Sequence, residues 1–134
     1  MGNSQVTPAE LEQFQLLNEQ AEQLNQYKEL LSQQLSEIEL SISSLNEINN
    51  IPENAGMLAP VADGIFINAS LKDNSKVMVN VGANTVVEKS IPEAIKLLEN
   101  EKKGLAERLN EAEGVLSQLN SQLSAIYSEA ENNV

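Results

Sequence analysis

Cysteine, histidine and tryptophan are absent from this chain of 134 residues, and aromatic residues amount to two tyrosines and two phenylalanines. Without cysteine there is no disulfide framework and no thiol nucleophile, an absence compatible with a reducing cytosol. Without histidine the commonest general base and a common metal ligand are missing. So few aromatics argue against a thick globular core. Basic residues are scarce too: 8 against 20 acidic residues, for a net charge of −12. Such a surface repels nucleic acid and anionic membranes, which excludes both as expected partners. No apolar run approaches the ~20 residues of a membrane-spanning helix. Met1 to Val6 lacks the basic start and apolar run of a secretion signal, and Val6 stands where a myristoylation motif has Ser or Thr.

The same absences narrow the chemistry. Glutamates on a solvated helix face have nothing to raise a carboxyl pKa. Gly64 and Gly82 are isolated turn glycines rather than a phosphate-binding loop, and Asp73-Asn74-Ser75 lacks the remaining ligands of a calcium loop. Asn68-Ala69-Ser70 matches a glycosylation sequon by chance in a chain without a secretion signal. The chain is therefore expected not to be an enzyme, with no catalytic residue, no metal site and no cofactor.

What is present is periodicity. Steps of three and four connect Phe14, Leu17, Ala21, Leu24, Lys28, Leu31, Leu35, Ile38, Ile42, Leu45 and Asn49. The same steps connect Ile95, Leu98, Lys102, Leu105, Leu109, Ala112, Leu116, Leu119, Leu123, Ile126 and Ala130. A seam repeating every 3.5 residues is what supercoiled helices bury against each other. Thr7, Pro8 and Glu10 write the start of a helix over 8–49, ended by Asn49, Asn50 and Pro52. Ser90, Pro92 and Glu93 start a second over 91–129, with a frayed tail from Glu131 to Val134. Antiparallel pairing of residues whose numbers sum to about 140 sets a against d throughout, with Lys28 opposite Ala112. Lys28 and Lys102 are read as polar seam positions that tune register.

Between the ladders the period drops to two. Ile65, Ile67 and Ala69 alternate with Phe66, Asn68 and Ser70, and Val77, Val79 and Val81 with Met78 and Asn80. Asp63-Gly64, Lys72-Asp73-Asn74-Ser75 and Gly82-Ala83-Asn84 are turns. Strands over 58–62, 65–71, 76–81 and 85–89 make two β-hairpins after a loop over 52–57. The fold class is α+β: a long antiparallel coiled-coil hairpin with two β-hairpins at its base, one domain over 1–134. So few strands need a covering layer. The helices are committed to each other, so strands of other subunits are expected to complete an intersubunit β-barrel. Leu58, Val61, Ile65, Ile67, Val77, Val79, Val81 and Val86 are the candidate oligomerisation residues.

Leu11, Leu16, Val115 and Tyr127 are apolar yet off the seam, near the helix ends farthest in sequence from the strands. Apolar surface that persists on an acidic protein marks a binding site. With Phe14, Leu17, Leu119, Leu123 and Ile126 they form the candidate surface for unfolded polypeptides. The bland alternative is a wider core stripe.

Leu58-Ala59-Pro60-Val61, Gly64-Ile65-Phe66-Ile67, Val79-Asn80-Val81-Gly82-Ala83 and Val86-Val87-Glu88-Lys89 followed by Glu93-Ala94 resemble the α-class subunits of prefoldin. The architecture matches along the whole chain. The specific residues lie between Leu58 and Ala94, and two hairpins favour the α class over the β class. The resemblance implies a cytoplasmic hexamer of two α-class and four β-class subunits. It implies an ATP-independent holdase that captures non-native polypeptides at coiled-coil tips and delivers them to a group II chaperonin. The alternative is a structural coiled-coil protein, such as a filament-forming subunit of the same fold.

Overall fold

The computed structural model describes residues 7–132, with side chains described for residues 7–129. The element order is α1 (Pro8–Asn49), β1 (Gly56–Ala62), β2 (Ile65–Ser70), β3 (Lys76–Gly82), β4 (Thr85–Ser90) and α2 (Ile91–Asn132). Both helices are 42 residues long. The Ala130 seam position and the tail's Asn133 and Val134 lie outside the described side chains and backbone, respectively, as does the Met1–Val6 segment. The helix backbone continues through Asn132, past the expected end at Glu129.

The chain divides into two compact units. A terminal unit comprises Met1–Leu35 and Gly104–Val134, and a central unit comprises Ser36–Lys103. In the terminal unit Leu17, Ala21, Leu116, Leu119 and Ile126 form one buried cluster, with Phe14, Leu24 and Leu123 packed against it. These are ladder positions from both helices. Lys28 Nζ lies 3.8 Å from Glu113 Oε1, and in the central unit Lys102 Nζ lies 3.4 Å from Glu39 Oε1. Both seam lysines thus sit half-buried with the ammonium turned toward a carboxylate of the facing helix. Partly exposed pairs of this kind contribute at most about 1 kcal/mol to stability.

The ladder ends differently from its sequence pattern. Ile48, not Asn49, is half-buried, and Asn49 is exposed. Three-residue spacing from Leu45 to Ile48 keeps an apolar side chain inside where the seam closes. Beyond it, Asn50 N–H donates to Glu47 O and Ile51 N–H to Ile48 O, a tightened last turn ahead of Pro52. The two expected capping boxes also differ. Ser90 Oγ accepts from Glu93 N–H at 3.2 Å while its own hydroxyl donates to Glu93 Oε1 at 3.0 Å. Thr7 Oγ1 accepts from Glu10 N–H at 3.1 Å. Glu10 Oε2, however, is shielded and has no partner among the described residues.

The strands form two separate two-stranded antiparallel sheets, β1–β2 and β3–β4, with no closed barrel within the chain. Pairing runs from Gly56↔Ser70 to Ala62↔Ile65 and from Lys76↔Ser90 to Gly82↔Thr85. Both hairpins carry a bulge before the turn, at Val61 and at Val81. Asn80 Oδ1 accepts from Gly82 N–H at 2.9 Å, which satisfies a donor beside the second bulge. Ala83 and Asn84 have φ of 50° and 59°, the positive pair that a tight type I′ turn demands. Gly64 at φ 74° serves the first turn, where a side chain would be strained.

Burial decides which seam residues hold the helices. Leu31 is 2% exposed, whereas its neighbour Leu30 is 50% exposed. Leu31→Ala should lower stability by about 2–4 kcal/mol. Leu30→Ala should change it by under about 0.5 kcal/mol. Thermal unfolding followed by circular dichroism measures both; equal losses would contradict this seam.

Candidate functional site

Among the described residues two surfaces are candidates for function, one in each unit. Among the described residues no group of three or more His, Cys, Asp or Glu is placed to hold a metal ion. No described helix is long and apolar enough to cross a membrane.

The terminal unit divides the candidate polypeptide-binding residues in two. Leu17, Leu119 and Ile126 are buried in the seam, and Phe14 and Leu123 are half-buried against it. Leu11, Leu16, Val115 and Tyr127 are exposed, Tyr127 by 62%. A closed seam therefore offers only the second group to another molecule. Sequence reasoning passed over Tyr27, which is also exposed and off the ladder, as is Leu30. The signal was available: both occupy helix flanks, where a polar residue is the ordinary choice.

The central unit divides the oligomerisation candidates likewise. Val77 and Val79 are half-buried and, with Val81, line an open, largely apolar cleft of about 740 Å³ shared with Leu45, Ala94, Leu97 and Leu98. The helices are thus not wholly committed to each other; they lend a wall to the inner face of β3, contrary to the expectation that nothing in the chain could cover it. Leu58, Val61, Ile65, Ile67, Val81 and Val86 are exposed. So are Phe66 and Met78, which sequence reasoning left out because it followed one alternating face, and Met57, which it read as part of a loop over 52–57 but which belongs to β1. The register sets Ala59 opposite Ile67 on one face of the first hairpin and Pro60 opposite Phe66 on the other. Both faces of that hairpin carry exposed apolar side chains, Met57 and Ile67 on one and Leu58 and Phe66 on the other.

The segment between the hairpins ties them to the helix ends. Ile91, 1% exposed, begins α2 directly after β4, and its N–H donates to Ser75 O at 2.9 Å. Asn74 Nδ2 donates to Ile51 O at 2.9 Å, beyond the end of α1. Asp73 Oδ1 accepts from the Ser75 hydroxyl at 2.6 Å and from Ser75 N–H at 2.8 Å, which shapes the turn. The Ser75 hydroxyl, then the Ser75 N–H, hold the Asp73 carboxyl below the ordinary carboxylate range. A depressed carboxyl stabilises the fold at neutral pH and ceases to do so as pH falls through its folded-state value. Ser75→Ala should move the Asp73 titration upward. A carbon-detected NMR titration measures that shift, and an unchanged value would mean the Ser75 hydroxyl does not hold the carboxylate, since Ala keeps the N–H donor.

The prefoldin subunit family model matches residues 17–134. Prefoldin subunit alpha of Methanocorpusculum labreanum is 31% identical over 144 residues, covering 96% of this chain and 98% of that protein. Its counterpart from Thermofilum pendens is 29% identical over 119 residues, covering 86% and 92%. Among solved structures, filamentous PFD from Methanocaldococcus jannaschii, determined by cryo-electron microscopy, superposes with a TM-score of 0.76. It is 24% identical, over 88% of this chain and 98% of that one.

Proposed function

The chain belongs to the prefoldin family, matching its α subunits, and from that premise we propose that it is a subunit of an ATP-independent holdase chaperone. Prefoldin is a chaperone family rather than an enzyme family. In this reading two such chains join four β-class subunits in a cytoplasmic hexamer through their hairpins. The assembly captures non-native polypeptides and delivers them to a group II chaperonin.

The observation that carries the reading is the exposure of Leu11, Leu16, Val115 and Tyr127 on a strongly acidic helix pair. Surface that is apolar, shallow and spread out suits partners with no common sequence. Burial is worth about 25 cal/mol per Å² whatever the partner's side chains are. Charge keeps such a surface soluble until a partner covers it. Assembly is supported by the hairpins: each has two strands, open edges and exposed apolar residues, and such sheets gain stability when other strands or layers cover them.

Open edges also favour a second reading, a filament in which hairpins pair head to tail without closing. The solved protein of the same fold is filamentous. The readings separate in solution. A closed hexamer has a fixed mass across protein concentrations in the presence of a β-class partner. A filament grows with concentration from this chain alone.

Two sets of variants test the chaperone reading. Replacing Leu11, Leu16, Val115 and Tyr127 together by Ser should raise, several-fold, the molar ratio needed to keep a denatured client from scattering light. Oligomer mass should be unchanged. Ile67→Asp, at an exposed position, should dissociate the oligomer while circular dichroism still reports full helix. Protection by the serine variant at the original ratio would place client capture elsewhere on the chain.

A further inference from the structure

Resting on the capture reading, we propose that the terminal unit selects unfolded segments that are basic as well as apolar. Residues 1–27 contain no Lys or Arg, and neither do residues 109–134, while the chain has no histidine at all. Within the same spans lie Glu10, Glu12, Glu19, Glu22, Glu111, Glu113, Glu129 and Glu131. In sequence Leu11 and Leu16 lie between Glu10 and Glu19, Val115 follows Glu111 and Glu113, and Tyr127 precedes Glu129; all four apolar side chains are exposed. A polypeptide segment laid on them meets negative charge that, among the described residues, only Lys28 offsets, at Glu113, and positive charge on the segment is the complement.

Tyrosine placement points the same way. Both tyrosines of the chain, Tyr27 and Tyr127, fall in these spans, and both are exposed. An exposed tyrosine ring attracts a Lys or Arg cation over its face, and carboxylates nearby raise the local concentration of such cations. Helix stability accounts for Glu10, in the first turn of α1, but not for the charges at the end of α2. Glu129 and Glu131 lie near the C-terminus of α2, whose last turn has no basic residue, where the helix dipole favours cations. Among the described residues of this set Glu113 alone forms an ion pair, with Lys28, at the boundary of the cation-free region.

Each side-chain contact is a surface pair of modest strength, so selectivity builds from several at once to about tenfold. It is also sensitive to salt, because screening acts over about 10 Å at 0.1 M and over less at higher concentration.

The test uses the full-length chain and three labelled, unstructured peptides with the same apolar residues and with Lys, Ser or Glu at the remaining positions. Fluorescence anisotropy at about 50 mM salt should rank binding Lys over Ser over Glu, with about tenfold between the first two. At about 0.5 M the three should converge. The triple variant Glu12→Gln, Glu19→Gln, Glu129→Gln should lose the ranking yet bind the serine peptide as before, with helicity confirmed by circular dichroism. Equal binding of all three peptides at low salt overturns charge selection and leaves capture standing. Failure of every peptide to bind removes the capture reading, and this inference with it.

Discussion

The packing of one apolar seam against another is the interaction on which everything else in this chain depends. Isolated helices are marginal in water, and neither helix has more than scattered apolar residues away from the ladder. Each ladder residue is therefore both the reason its helix persists and the means by which the second helix is held beside it. The buried residues of the terminal unit are almost all Leu, Ile and Ala at ladder positions. Because a seam is narrow, it leaves most of each helix surface free for other uses. Leu16, Tyr27 and Val115 can remain apolar on the flanks without drawing the fold into a different arrangement.

That division between seam and flank was readable from the residues. Period 3.5 and period 2 are local properties, and so are the glycines and asparagines of the turns. Non-local effects were hidden. Gly56 belongs to β1 because Ser70 pairs with it across the hairpin, which no propensity of Gly56 announces. Ile48 replaces Asn49 at the end of the seam because an apolar side chain can take the place by a small rotation. Leu45, Leu97 and Leu98 border the inner face of β3, a placement that depends on where the hairpin folds back. The capping boxes show the same limit from the other side. Thr7 and Ser90 have equivalent patterns, yet only the second is reciprocal.

The candidate surfaces were legible as composition and less so as geometry. Off-ladder apolar residues announced one surface, and alternating Val and Ile announced the other. Following the ladder alone also placed Leu17, Leu119 and Ile126 in the binding set, where burial withholds them. Following one face of a strand left out Phe66, although a hairpin that lies against nothing on either side has no inner face to prefer. Charge was legible as a total, whereas its segregation matters more: cations are confined to Lys28 and the stretch from Lys72 to Arg108.

The junctions of the two hairpins are unequal. β4 runs into α2 without an intervening residue, and the first amide of the helix is already bonded to Ser75 at the start of the hairpin. β1 is reached through residues 51–55, a turn in which Asn54 adopts a left-handed φ of 66°. That turn is itself bonded to the segment between the hairpins: Asn54 N–H donates to Leu71 O at 2.6 Å, Leu71 N–H to Ala55 O at 2.9 Å, and Asn74 Nδ2 to Ile51 O at 2.9 Å. The second hairpin is thus continuous with its helix through the backbone, whereas the first is fastened to its helix by hydrogen bonds made across the chain. A change at residues 71–75 would therefore reach both hairpins at once.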